Sequence, residues 1–300
     1  MEKLEFVNSV IFKFQNPLNI NLKDGEIGLC ISVFYNKSNW DTLVIEGISP
    51  YIHDKRNKMF FYLSESSGDH LKLVIVVDEK KSYEQAKQLE IYFKNFIKKH
   101  PSDFIPKKKK NSNIFKDFSN NSIQFGLFNY FFDESWLRFN IGLSELLIYA
   151  FKEYRETFQS ELNAIILQVI IIFCNATGIS DKKLMIVIKK ILKDEYKNCD
   201  KSDLKELKSH NEVDFANNKN IIIEYLREYR FKKADSYNEK WESEWHEFSY
   251  YSFREILELD FEKKELNIMM VMNKIMTVFN ITNRISLCSF ILNGIKNYRE

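Results

Sequence analysis

Apolar and polar positions change rhythm once along this chain, near residue 140. Before that point, short runs of β-branched and aromatic residues alternate with stripes at helical spacing. Ile27–Tyr35 (IGLCISVFY) reads as a buried strand. Asn39 then stands where an N-cap belongs, opening a helix from Trp40 to about His53 with Leu43, Val44 and Ile48 inward and Pro50 ending or kinking it. Two short strands follow, Met59–Leu63 and Leu71–Val77, around a loop of Ser, Gly and acidic residues. Ser82-Tyr-Glu-Gln85 has the form of a capping box and leads a helix whose inner stripe is Ala86, Leu89, Phe93, Phe96 and Ile97. Ser122–Phe132 can form a fourth strand, and Val7–Phe14 a further one at an edge. The order β-α-β-β-α-β predicts a ferredoxin-like, split βαβ sheet.

From Gly142 onward the period is helical: Leu143, Leu146, Leu147, Ala150, Phe151 and Tyr154 recur on one face. Leu162–Phe173 is apolar nearly all round and should be the central helix of this half. Ser180-Asp181 caps a helix bearing Leu184, Val187, Ile188, Ile191 and Leu192. Lys193–Asn220 is polar and reads as a mobile linker with a short helix, followed by a helix over Ile221–Phe231. Trp241, Trp245 and Phe248 stand at i, i+4 and i+7, the spacing of a core ridge. The last helices are expected over Phe261–Phe279 and Asn283–Tyr298, with Asn280 or Thr282 in the turn. The fold class is thus α+β, with a sheet-bearing part over 1–135 and a predominantly helical part over 136–300, packed together as one compact unit.

Composition narrows the function classes. Net charge is +2, so no overall field favours nucleic acid, and the Lys107–Lys110 run reads as a solvated loop. Cys30, Cys174, Cys199 and Cys288 are far apart, which suits reduced thiols and a cytoplasmic location. No signal-peptide pattern follows Met1, and the oily run Ala164–Cys174 is shorter than the roughly 20 apolar residues a membrane span needs. The histidines (His53, His70, His100, His210, His246) do not pair at i+3 or i+4, so no metal site is expected, and no phosphate loop or nucleophile elbow points to a cofactor.

That leaves the hairpin KMFFYLSESSGDHLKLVIVV, Lys58–Val77. His70 and Lys72 are two apart on a strand, so both point to one face of the sheet. They are either plain surface or the rim of an anion-handling site. FFYLSESSGDHLKL resembles, at matched spacing, the pattern F-F-I-R-Y-x-D-P-x-x-H-L-R-L-R. That pattern belongs to the elimination domain of class I lanthipeptide dehydratases and to the related thiopeptide-type bacteriocin biosynthesis proteins. Phe132-Asp-Glu-Ser-Trp-Leu-Arg138-Phe-Asn is similar to the same family's Y-E-x-E-x-x-R-Y-G. Ile268-Met-Met-Val-Met-Asn273-Lys274-Ile resembles its helix V-H-M-H-x-N-R-L.

The resemblance implies work on a leader-bearing precursor peptide in ribosomal natural-product biosynthesis, beside a glutamylating dehydratase subunit. The chemistry implied is a lyase-type step. Either glutamate is expelled to leave dehydroamino acids, or two dehydroalanines join by a formal [4+2] cycloaddition with release of the leader. Both need a proton carrier and cations where negative charge gathers. The resemblance assigns the carrier to His70, the cations to Lys72 and Arg138, and substrate binding to Asn273 and Lys274. Several family positions differ here: Leu63 and Val74 stand for arginines, Ser135 for a glutamate, and Met269 and Val271 for histidines. Lysine acts only as a point charge where arginine clamps a carboxylate with two hydrogen bonds. A binding or scaffold subunit that docks the precursor or a dehydratase is therefore the alternative.

Overall fold

The computed structural model describes residues 24–55, 58–103, 118–128, 134–197, 199–259 and 264–298. The expected strand Val7–Phe14 and the Lys107–Lys110 run lie outside them. The described residues divide into two compact units, 24–158 with 277–280, and 159–276 with 281–298.

The first unit holds a sheet of β1 (Glu26–Phe34), β2 (Met59–Ser64), β3 (His70–Asp78) and β4 (Ser122–Phe125) in the order β2-β3-β1-β4, every neighbour antiparallel. With helix α1 (residues 40–55) between β1 and β2, and α2 (Ser82–Lys99) between β3 and β4, this is the ferredoxin-like arrangement the sequence predicts. Strand parity separates the two faces. One face carries Ile31, Val33, Phe61, Leu63, Leu71, Leu73 and Ile75, all buried. Helix α2 packs against β1, β3 and β4, burying Leu89, Phe93, Phe96 and Ile97. Gly47 of α1 lets the Phe96 ring approach, because a Cβ there would stand 3.2 Å from it.

Several local details depart from expectation. Pro50 does not end α1. The helix widens to a π stretch over Leu43–Ile48, where the Ser49 N–H reaches Val44 O, and resumes as Ser49–Lys55. The shifted ladder carries the chain past a residue that has no N–H to donate. Asn39 makes no side-chain cap; Asn36 does, its Oδ1 accepting from Ser38 N–H at 3.0 Å ahead of a 3₁₀ turn. The capping box at Ser82 is not formed either: Asp78 accepts from the Lys80 N–H at 2.8 Å, and Ser82 Oγ donates to Glu79 O. β4 stops at Phe125, before Gly126 at φ +70°. Helix α3 (Glu134–Glu153) begins well before Gly142, so Arg138 stands on a helix.

α3 lies along the sheet edge. Ser144 Oγ accepts from the Phe61 N–H at 2.8 Å and sits 3.1 Å from Phe61 O, meeting both outward backbone groups of that β2 residue. Leu137 joins Phe60, Val74 and Val76 in a core cluster on the second face of the sheet. A Ser144→Ala variant should lose about 1–3 kcal/mol, the cost of leaving buried backbone groups unmet, read as a lower urea midpoint at unchanged m. An unchanged midpoint would show that the clasp contributes nothing.

The second unit is helical: α4 (Phe158–Ala176), α5 (Asp181–Lys197), α6 (Lys201–Arg230), α7 (Lys240–Leu259), α8 (Lys264–Val278) and α9 (Arg284–Tyr298). α4 is buried from Ile165 to Cys174, as its all-round apolarity predicts. By length and composition it is apolar enough to cross a membrane, contrary to the reading of the shorter Ala164–Cys174 run, but burial of this kind also marks a core helix. Trp241, Trp245 and Phe248 form the expected buried ridge, with Trp245 Nε1 donating to Val169 O at 3.0 Å. The linker expected over Lys193–Asn220 is instead mostly helix: its first residues end α5 at Lys197, and from Lys201 it belongs to α6, one helix of 30 residues. Its sequence has neither Gly nor Pro, and Asn211, Phe215, Ile222, Leu226 and Tyr229 bury a narrow stripe while α9 packs alongside. The described cysteines are free thiols; burial pushes Cys174 and Cys288 up to about 12.

Candidate functional site

The hairpin loop sets the first candidate side chain. Gly68, at φ +110°, turns its carbonyl back on His70, whose Nδ1 lies 2.8 Å from that oxygen. A carbonyl only accepts, so Nδ1 carries the proton in the neutral ring, and Nε2 is the basic nitrogen. The loop is held from several sides. Asp69 O accepts from the Tyr35 N–H, Ser67 O accepts from the Phe118 N–H, and Glu65 accepts from Lys37 Nζ and Asn280 Nδ2.

His70 is 2% exposed and stacks on Phe34 with ring centroids 4.7 Å apart. Burial lowers its pKa below the ordinary imidazole value and Lys72 lowers it further, against opposing effects of the Gly68 hydrogen bond and Asp69. The resting ring is therefore neutral, the form a general base requires. Lys72, half-buried, holds its ammonium 5.7 Å from the centre of the Tyr62 ring and 5.4 Å from that of Phe128. Its pKa is lowered by burial. Among the described residues no carboxylate pairs with it.

The register arranges these groups in rows across the second face. Tyr62, Lys72, Ser32 and Gln124 are successive partners across β2, β3, β1 and β4. The next row is Ser64, His70, Phe34 and Ser122. His70 and Lys72 thus share a face, as their spacing predicts. Arg138 is half-buried on α3, beside Leu137 of the cluster that covers the same face. Asn273 and Lys274 are half-buried on α8, between buried Met272 and Ile275 of the second unit. Among the described residues no group of three His, Cys, Asp or Glu side chains could hold a metal ion.

No family model matches the chain, and no curated protein does. Among solved structures it is similar to the pyridine synthase TbtD from thiomuracin biosynthesis, with a TM-score of 0.69 and 15% identity over 91% of this chain and 99% of that one. The likeness is one of fold. The matched length takes in residues of both units.

Sequence reasoning missed Ser32, Tyr62, Gln124 and Phe128 as members of this face. Ser32 had a signal: it is the polar residue between Cys30 and Phe34 on one parity of an otherwise apolar strand. Phe128 had none, because it follows the end of β4 and reaches Lys72 only through the fold.

One expectation follows for stability. The pKa values of His70 and His246 are both lowered by burial, so between those values and the ordinary imidazole value the unfolded chain binds more protons. Their contribution is complete above about pH 6.5 and is lost as pH falls through the lowered values. Melting temperature should therefore drop on acidification from pH 7.5 to 5, and less steeply in an H70Q/H246Q double variant. Identical slopes would contradict the assignment.

Proposed function

We propose that this chain is a thiopeptide-type ribosomal-peptide biosynthesis protein that acts on a leader-bearing, dehydrated precursor peptide and closes a pyridine-type ring by a formal [4+2] step. The observation that carries this reading is a neutral imidazole and, on the same face of the sheet, an ammonium with no carboxylate partner among the described residues, in a chain whose fold is similar to that of a pyridine synthase over 91% of its length. In this reading His70 Nε2 carries the proton during amide tautomerisation. Lys72 and Arg138 stabilise the charge that gathers on oxygen, and Asn273 and Lys274 hold the peptide. Expulsion of glutamate from a glutamylated precursor is the other reaction of the same kind. The protein would work in the cytoplasm beside a glutamylating dehydratase.

The test gives the purified protein a dehydrated and a glutamylated precursor and follows mass, with an active relative as control. Loss of water and leader from the first is expected. Loss of glutamate from the second would replace cyclisation by elimination, and no mass change in either would sink the enzymatic reading.

A second reading is a binding subunit that docks the precursor or a dehydratase without chemistry. Two positions favour it: Val74 and Leu63, where the resembling family has arginines, are buried apolar residues, Val74 inside the Leu137 cluster. Stable capture of the precursor with no mass change would select it.

A further inference from the structure

We infer that Ser32 is a further substrate-contacting residue, which with Lys72 forms a two-donor cradle for one carbonyl oxygen that takes on negative charge. Ser32 is 1% exposed, and its Oγ has no hydrogen-bond partner among the described residues. Buried hydroxyls are ordinarily satisfied, so an orphan in the middle of a sheet calls for an explanation. It has a neighbour with the same need. The Cα of Ser32 is directly opposite that of Lys72, so both side chains leave the same face of the sheet. The Lys72 ammonium has aromatic rings around it and no carboxylate among the described residues. Tyr62 and Gln124 extend the row on either side, both half-buried. Ser32 is thus the floor of a polar row whose reachable members are an ammonium, an amide and a phenol. A cation and a neutral donor side by side in one row of the sheet, neither with an acceptor among the described residues, fit an oxygen that carries negative charge.

This inference rests on the function proposed above and names the group bound: the amide of a dehydroamino acid within the peptide. Removal of the amide proton by His70 Nε2 turns the N–H electron pair into a C–N π bond and moves the carbonyl π pair onto oxygen. Lys72 and Ser32 donate to that oxygen. Return of the proton from the imidazolium to the oxygen completes the iminol and restores the neutral ring. No atom is gained or lost.

Acetate, a planar oxygen anion, serves as the probe, followed by NMR shifts of the Lys72 amide in wild type, S32A and K72M. Acetate should bind wild type, about tenfold more weakly to S32A, and undetectably to K72M. The melting temperature of S32A should equal or exceed that of wild type, because the hydroxyl it removes has no partner among the described residues. Equal acetate affinity in wild type and S32A, no binding to wild type, or a lowered melting temperature in S32A would each overturn the cradle. Should S32A fail to fold, S32C, close in size with a weaker donor, carries the same comparison. The acetate arm needs no precursor, so it stands or falls apart from the turnover assay. Turnover intact with S32A unimpaired would remove Ser32 alone and leave the proposed function in place.

Discussion

An H70Q variant given the dehydrated precursor should form product some 10²–10⁴-fold more slowly than wild type, the range typical for losing a positioned acid–base group. Glutamine retains a donor for the Gly68 carbonyl, so the hairpin should keep its shape while the basic nitrogen disappears. The wild-type rate should also fall as pH drops through the lowered imidazole pKa, below its ordinary value near 6.5, since protonation fills Nε2. That acid limb should be missing from the residual activity of H70Q. Precursor affinity should stay within a fewfold. A variant that turns over at the wild-type rate, or keeps the same acid limb, would move the proton to another group.

The second large effect belongs to the helical unit. Arg230 Nε donates to Asp181 Oδ1 at 2.7 Å, with both side chains 8% exposed. The guanidinium also reaches Ile179 O, and the Tyr298 hydroxyl donates to the other Asp181 oxygen. The pair ties the start of α5 to the ends of α6 and α9, with acid at a helix N-terminus and base at a C-terminus, the favourable sense for both dipoles. Arg230→Ala leaves a buried carboxylate without its cation and should cost about 3–5 kcal/mol. Domain stabilities are about 5–15 kcal/mol, so such a loss is a large share of the total. A D181N/R230M double variant should recover much of it, because the burial penalty of both charges goes with them. Urea unfolding of the three proteins decides: an R230A midpoint within error of wild type would show the pair to be ornamental.

How much of this was legible beforehand varies with the physical cause. Strand parity is strict, so two residues apart on β3 sufficed to place His70 and Lys72 together, and the element order alone predicted the split βαβ sheet. Caps were misread because several Asn, Ser and Asp residues compete at each helix start; Asn36 and Asp78 won over Asn39 and Ser82. The 193–220 stretch read as linker because a helix that buries only a thin stripe shows little periodicity, and no breaker marks the difference. The early start of α3 was missed because residues 134–141 lie between the expected strand, which ended at Phe132, and the helical period read from Gly142. Ser32 escaped because a single serine inside IGLCISVF does not disturb an apolar strand. Only the cross-strand register reveals what it faces.

The Ser144 clasp on Phe61 has a bearing on how a peptide can be received. Many proteins capture extended peptides by letting them zip onto a free sheet margin through main-chain pairing. At β2 that margin is already occupied at its middle residue by a side chain from α3, which interrupts any continuous ladder there. In the function proposed above, a precursor would therefore not be held by continuous main-chain pairing along β2, and recognition should lean on its side chains and reacting amides, so tolerance of sequence changes in the peptide should be narrow at the reacting positions.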